Sequence, residues 1–259
     1  MLKTCQMTDK QIIASVSFGK DSIATVILAH LNNEPLDLIV YSEVMFDENI
    51  SGEHPLHRDF IYNKAIPTFE SWGYEVKVLR SNKTYLDCFF NVCGERAKPE
   101  RIGKYRGFPI VFKCKINSDC KVGPIKKFFK GLDCIQYVGI AIDEPVRLAR
   151  LENTNKISLL AKYNYTEQMA YELCQEYDLL SPIYKITNRN GCWFCPNSRD
   201  REFIDLINNY PELWNELKIL SKTDNLVTDK FNRTETFDEL DKRLNKKIAL
   251  QKCQLKLDL

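Results

Sequence analysis

Hydrophobic and polar positions alternate between short apolar runs and longer helical stretches. Ile12-Ile13-Ala14-Ser15-Val16 is a nearly continuous apolar run and predicts a buried strand. Residues 23–31 are apolar almost all round, as in a helix packed tightly on a sheet. Residues 36–41 predict a second short strand, and 74–79 alternate like a third. Between them, 56–72 read as a helix that Pro67 should kink or split and Gly73 should end. Residues 134–140 predict a fourth strand, after which Asp143-Glu144-Pro145 opens a helix with proline near its first position. From 159 onward the pattern is helical, with Thr166 capping an amphipathic helix over 166–174 and further helices near 200–208, 211–221 and 235–251. The opening βαβαβ order implies a parallel sheet with right-handed crossovers. The expected fold is therefore α/β, a doubly wound parallel sheet, followed by a helical C-terminal part that carries a Cys-x-x-Cys. No internal repeat or low-complexity linker interrupts it.

The first strand and helix are joined by Ser17-Phe18-Gly19-Lys20-Asp21-Ser22. A polar loop with glycine between a strand and a helix start makes an anion site, because amides and helix dipole both favour negative charge. Ser17 and Ser22 add hydroxyls, Lys20 a cation, and Gly19 room for close approach. The spacing does not fit a P-loop, which needs four residues between its first glycine and Gly-Lys-Ser/Thr. The plainer reading is a capped helix, since Asp21 and Ser22 are good cap types. Ligands of doubly wound sheets sit beyond the strand carboxyl ends, which places Glu43 and Met45 to line a nucleotide pocket; a solvated loop is the alternative. Gly139 permits close backbone approach at the fourth strand's end. Arg147 and Arg150 share one helix face, as phosphate ligands or as a surface pair.

The order Ser-x-Gly-Lys-Asp-Ser resembles the pyrophosphate (PP) loop of the ATP pyrophosphatases, and most closely the PAPS-reductase-like branch of that superfamily. Gly139-Ile140 followed by Asp143-Glu144 and the arginines is similar to a second element of that branch, and Gly52-Glu53-His54-Pro55 loosely to its Glu-x-Pro element. The resemblance spans roughly residues 10–200 by motif positions alone. It implies an adenine nucleotide alpha hydrolase-like (HUP) domain over 1–158 and a helical region with metal-site cysteines over 159–259. It further implies ATP cleavage to AMP and pyrophosphate while a substrate is adenylylated, with a sulfur nucleophile then displacing AMP, as in DNA-phosphorothioation and tRNA-thiolation relatives. Ser17, Phe18, Gly19, Lys20, Asp21 and Ser22 would hold nucleotide together with Glu43, Met45, Gly139 and Arg150. Lys20, Asp21, Lys121 and Arg147 would be catalytic, with Asp21 capping the helix or helping to hold Mg2+ on ATP. The alternatives are a PAPS or APS reductase and a nucleotide-binding partner without turnover. The intact loop and the lack of a Glu-Cys-Gly-Leu-His motif around Cys253 both argue against the reductase.

The chain has 259 residues and a formal charge of +2, so no global field argues for nucleic acid or membrane. It has no apolar run long enough for a bilayer, and Met1-Leu2-Lys3-Thr4-Cys5 lacks a signal peptide's apolar core, which predicts a cytoplasmic protein with no membrane partner. Ten cysteines are many for that compartment and suggest metal or redox chemistry. Cys192 and Cys195 form a Cys-x-x-Cys, and Cys114 and Cys120 a wider pair, enough together for a zinc site or a four-iron cluster. In the family a cysteine before Lys-x-x-Pro meets a late Gly-Cys-x-x-Cys, which Cys120-Lys121-Val122-Gly123-Pro124 and Gly191-Cys192 match. That resemblance favours [4Fe-4S] over Zn2+, although Asp119 stands where APS reductases have a second cysteine. Cys114 is the expected fourth ligand and Cys174 its rival, the latter reading better as core. Residues 96–130 are basic with interleaved aromatics, suited to a nucleotide site or to a nucleic-acid backbone. The acceptor, DNA or tRNA among the options, and a sulfur donor protein would be the partners.

Overall fold

The computed structural model describes residues 10–110, 114–189 and 191–257, with side chains through residue 254. Cys5, and Phe112 and Lys113 of the basic segment, lie outside the described residues. In chain order the elements are β1 (Gln11–Val16), α1 (Lys20–Leu31), β2 (Leu38–Glu43), α2 (Pro55–Phe60), a π turn (Ile61–Ala65), α3 (Ile66–Ser71), β3 (Val76–Arg80) and α4 (Tyr85–Phe89). A second π turn (Asn117–Val122) leads into α5 (Gly123–Phe129), β4 (Cys134–Val138), α6 (Pro145–Leu148), β5 (Lys156–Ile157), α7 (Leu159–Lys162) and α8 (Glu167–Glu176). The chain ends in α9 (Asp200–Asn209), α10 (Pro211–Ser221) and α11 (Phe237–Leu257). No helix among the described residues is long and apolar enough to cross a membrane.

The chain folds as two compact units, each assembled from several stretches of sequence. The first comprises residues 1–42, 56–79 and 125–182; the second comprises 43–55, 80–124 and 183–259.

The first unit holds a five-stranded sheet in the order β3-β2-β1-β4-β5. β1 pairs in parallel with β2 (Ile13 opposite Leu38) and with β4 (Gln11 opposite Cys134), and β4 pairs in parallel with β5. Both faces of β1 are buried, which is why its sequence reads as a continuous apolar run. Its core draws on Ala14, Val16, Ile23, Val26, Ile27, Ile39, Leu159, Leu160 and Leu173, with α7 and α8 packed against α1. Pro67 does not break its helix. The π turn ahead of it lets the Ile66 amide bond back to the Ile61 carbonyl, and Pro67 then falls in the first turn of α3, where a missing N–H is harmless. The helix expected after Pro145 is only four residues long and continues as a 3₁₀ turn at Ala149–Leu151.

The second unit is built from rings. Phe46, Tyr85, Phe89, Phe108, Trp193, Phe194, Phe203, Trp214, Phe231 and Phe237 fill its core. Tyr85 and Phe194 lie 4.1 Å apart between centroids, and Phe46–Trp193 and Trp214–Phe237 each 4.7 Å. Among the described residues its extended segments meet in single bridges, such as Glu53–Cys192 and Val92–Tyr105. The sequence reading missed α4, the second π turn and α5, which are short and lack amphipathic period.

Candidate anion site at the start of the first helix

Residues 17–19 connect β1 to α1 at the carboxyl end of β1. The chain leaves β1 through α1 toward β2, while β4 lies on the other side of β1. That end of the sheet is a topological switch point, where doubly wound folds keep their ligands. Hydrogen bonds within the loop fix its shape. Ser17 N donates to Ser22 Oγ (3.2 Å), Ser22 Oγ donates to the Gly19 carbonyl (2.9 Å), and Ile23 N donates to the same carbonyl (3.0 Å). The Ser22 hydroxyl is thus an internal brace. Phe18 adopts a left-handed φ of 55°, a strain of about 1–3 kcal/mol for a bulky residue. Burial of its ring, edge-on to Tyr41 at 5.0 Å and stacked on Phe69 at 6.0 Å, offsets this. The Phe18 side chain is therefore core, leaving only its backbone to the loop.

Gly19 is the N-cap of α1 and makes no side-chain cap. By contrast, α8 is capped by Thr166 Oγ1, which accepts from Met169 N, and α4 carries a full capping box of Thr84 and Asp87. First-turn amides have no intrahelical acceptor, so a helix start without a side-chain cap is suited to an outside anion. Gly139, just past β4, completes the cradle. A Cβ there would lie 2.7 Å from Asp21 C and Ser22 N, so only glycine lets this strand end pass against the helix start.

The charges at the loop are paired. Lys20 Nζ lies 2.8 Å from Asp21 Oδ1 and 3.3 Å from Glu167 Oε2. Burial works against the Lys20 charge, but the hydrogen bond and charge of Asp21, with Glu167, outweigh it and raise its pKa. Burial also pushes Asp21 above the usual carboxylate range, the nearby charges of Glu167 and Glu144 adding to it against the pull of Lys20. Asp21 Oδ1 accepts from the Lys20 ammonium. Arg147 donates to Glu144 Oε1, whose other oxygen accepts from Ala141 N at 3.3 Å. Arg150 is exposed on the 3₁₀ turn. Beneath the first turn, the buried Cys174 thiol donates to the Lys20 carbonyl (3.2 Å), and burial pushes its pKa up to about 12. Cys174 is thus a packed thiol.

The first unit therefore gathers Ser17, Phe18, Gly19, Lys20, Asp21, Ser22 and Gly139. Glu144, Glu167 and Cys174 escaped the sequence reading as loop partners; an acid one residue after a capping threonine was the available signal for Glu167. Glu43, Met45 and Lys121 belong to the second unit. There Glu43 is fully buried and satisfied. Its Oε2 accepts from Arg80 Nε (2.9 Å) and Nη2 (2.6 Å), and its Oε1 from Ser51 Oγ (2.8 Å). Met45 is buried and its backbone bridges to Ser51. Three described aromatics of the basic segment are spent on packing. Phe108 is in the ring core, and Phe128 and Phe129 pack on Ile13, Leu38 and Val40 in the first unit.

The cysteine reading needs correction. Cys114, Cys120, Cys192 and Cys195 all fall in the second unit, and each bears on the ionisation of a neighbour there. Yet among the described residues no group of three or more His, Cys, Asp or Glu side chains could hold a metal ion. The four-cysteine centre, whether [4Fe-4S] or Zn2+, is not built. Burial holds the Cys192 thiol well above its ordinary pKa, and Cys120 Sγ lies 3.9 Å from Cys88 Sγ, a cysteine outside the expected set. Cys192 and Cys195 occupy a turn in which Cys195 N donates to the Cys192 carbonyl (3.1 Å). Cys114, Cys120 and Cys192 are thiols packed in or against the ring core.

No family model matches the chain, and no curated protein matches it. Among solved structures, the chain is similar to the U34-tRNA thiolase NcsA from Methanococcus maripaludis with its [4Fe-4S] cluster, at 15% identity and a TM-score of 0.38, covering 91% of this chain and 81% of that one. A superposition at that score establishes no common fold, and the cluster belongs to that protein.

Proposed function

We propose that the first unit binds ATP by its diphosphate and cleaves it between the α- and β-phosphates, transferring AMP to an acceptor oxygen. The observation that carries this reading is the loop at the switch point between β1 and β4, with Gly139 making room against the start of α1 and Lys20 beside it. The helix start, the Ser17 hydroxyl and Lys20 stabilise the pyrophosphate as it leaves, an electrostatic task that preorganised amides and cations perform well. Bound phosphate takes the place of Asp21 and Glu167 as the partner of Lys20. Arg147, tethered to Glu144, supplies a second cation by the same exchange. The sequence resemblance supports the second half of the reaction, displacement of AMP from the adenylylated acceptor by a sulfur nucleophile.

The test is calorimetry with ATP, followed by assay of AMP and pyrophosphate across acceptors. ATP binding that weakens about tenfold or more in Lys20→Ala is expected, as for loss of one charge-assisted contact. Binding unchanged in Lys20→Ala would remove the loop from the site. Sulfite release from a sulfonucleotide in the presence of a dithiol would replace ATP cleavage with reductive chemistry.

A further inference from the structure

We propose that Cys88 and Cys120 are a redox-active dithiol, oxidised to a disulfide by hydroperoxides and restored by a small dithiol. Their sulfurs lie 3.9 Å apart, on α4 and on the second π turn. A disulfide requires about 2.0 Å, so the sulfurs need to close by slightly less than one S–S bond length. Cys120 is fully buried, with its sulfur also 3.8 Å from the Thr84 carbonyl. Cys88 is half-buried and lines a polar cavity of about 420 Å3 with Asn82, Lys83, Asp87, Asn91 and Lys115. A small hydrophilic oxidant therefore reaches Cys88 and not Cys120. The two thiols have unequal access and one contact, the arrangement of an attacking and a resolving cysteine.

The chemistry follows from that geometry. The Cys88 thiolate attacks one oxygen of hydrogen peroxide, the O–O bond breaks, and hydroxide leaves as the sulfur becomes a sulfenic acid. Cys120 then attacks the Cys88 sulfur, the S–O bond breaks, and the departing hydroxide takes the Cys120 proton as water. In sum, two thiols lose two electrons and two protons, and one peroxide becomes two waters. A dithiol reverses the step by exchange through a mixed disulfide. Lys83 at the cavity wall favours the anions formed on the way, while Asp119, which pairs with Lys83 and Lys115, and Asp87 oppose them, so the reactivity rests on access and on the sulfur–sulfur contact. The bond would staple α4 to the π turn 32 residues away, so the oxidised form should melt at a higher temperature.

The full-length protein, reduced and desalted without oxygen, is titrated with hydrogen peroxide, alkylated and digested. The expected result is a linked pair of peptides containing Cys88 and Cys120, two mass units lighter than the sum of the thiol peptides, that a dithiol separates. In Cys120→Ser, Cys88 should instead be captured as a sulfenic acid by dimedone. A first link that joins any other cysteines, or Cys88 and Cys120 still fully alkylatable after the other thiols have reacted, would overturn the proposal. The wild-type map needs no variant to fold, and it is independent of ATP binding at the loop.

Discussion

The two units solve the burial problem with different materials. The first is mainly aliphatic and ordered by a backbone ladder, with β1 hydrogen-bonded on both sides and Val, Ile, Leu and Ala supplying most of its core beside a smaller group of rings around Phe18. The second is aromatic, and side chains do the anchoring that a sheet does in the first. Trp193 Nε1 donates to the Ser51 carbonyl (2.8 Å), Ser51 Oγ to Glu43, and Arg80 holds the same carboxylate. Backbone ladders spread their stabilisation over many similar bonds. Anchors concentrate it, so single substitutions in the second unit should cost more.

The sharpest way to break that comparison is Arg80→Met. It removes the Arg80 cation from Glu43, which is 0% exposed. Stranding a buried charge costs about 3–5 kcal/mol. Urea unfolding followed by Trp193 and Trp214 emission should show the loss, and Glu43→Gln in the same background should recover part of it. An Arg80→Met protein with unchanged midpoint would mean that the anchor is not what holds the ring core.

Next in size is Gly139→Ala in the first unit. The new methyl overlaps the Asp21 and Ser22 backbone at 2.7 Å, where no side chain can yield. Overpacking of this kind costs about 1–3 kcal/mol. The helix start must shift, so ATP affinity should fall along with the melting temperature. A variant that melts lower yet binds ATP as before would separate the glycine's packing role from the anion cradle. Smaller again is Thr166→Ala, which removes the acceptor for Met169 N at the start of α8. The loss should be about 1 kcal/mol or less, because Asp143 also accepts from the next amide, Glu167 N, at 3.1 Å.

The contrast between units also explains what the sequence could say. β1, α1, β4 and α8 were legible because local period and burial agree: apolar runs become central strands, and Thr166 caps where its spacing says it should. The strand–loop–helix order places the loop, and Gly139 is legible as a point of close backbone approach at a strand end. Glu43 was misjudged because its partner Arg80 is 37 positions away and no local pattern links them. The ring core was invisible for the same reason, since Phe46, Tyr85, Phe194 and Phe231 come from separate stretches with no common period. The cysteines show the limit most plainly. Spacing pointed to ligands, but coordination needs convergent sulfurs, and Cys120 turns to Cys88, which the spacing had not singled out.

The smallest effect concerns pH and the end of the chain. Arg243 donates to Glu235 from Nε (3.0 Å) and Nη2 (2.8 Å), and to Asp200 from Nη1 (2.8 Å). Those Arg243 bonds hold the Glu235 carboxyl below the usual carboxylate range, against a smaller opposing effect of burial. At Asp200 burial opposes ionisation, but Lys247 and Arg243 outweigh it and its pKa is also lowered. For a folded pKa below the unfolded one, the stabilisation is complete above the unfolded value, about 4.3 for Glu and 3.9 for Asp. It is lost as pH falls through the folded values. Acidification below about pH 4.3 should therefore weaken the wild type more than Arg243→Gln, and the two urea midpoints should converge as the acids protonate. The pair sits near the surface, so the gap above that pH should be under about 1 kcal/mol. Parallel pH profiles for the two proteins would show that α11 is held by its apolar face, through Leu240 and Leu244, with the ion pairs contributing nothing.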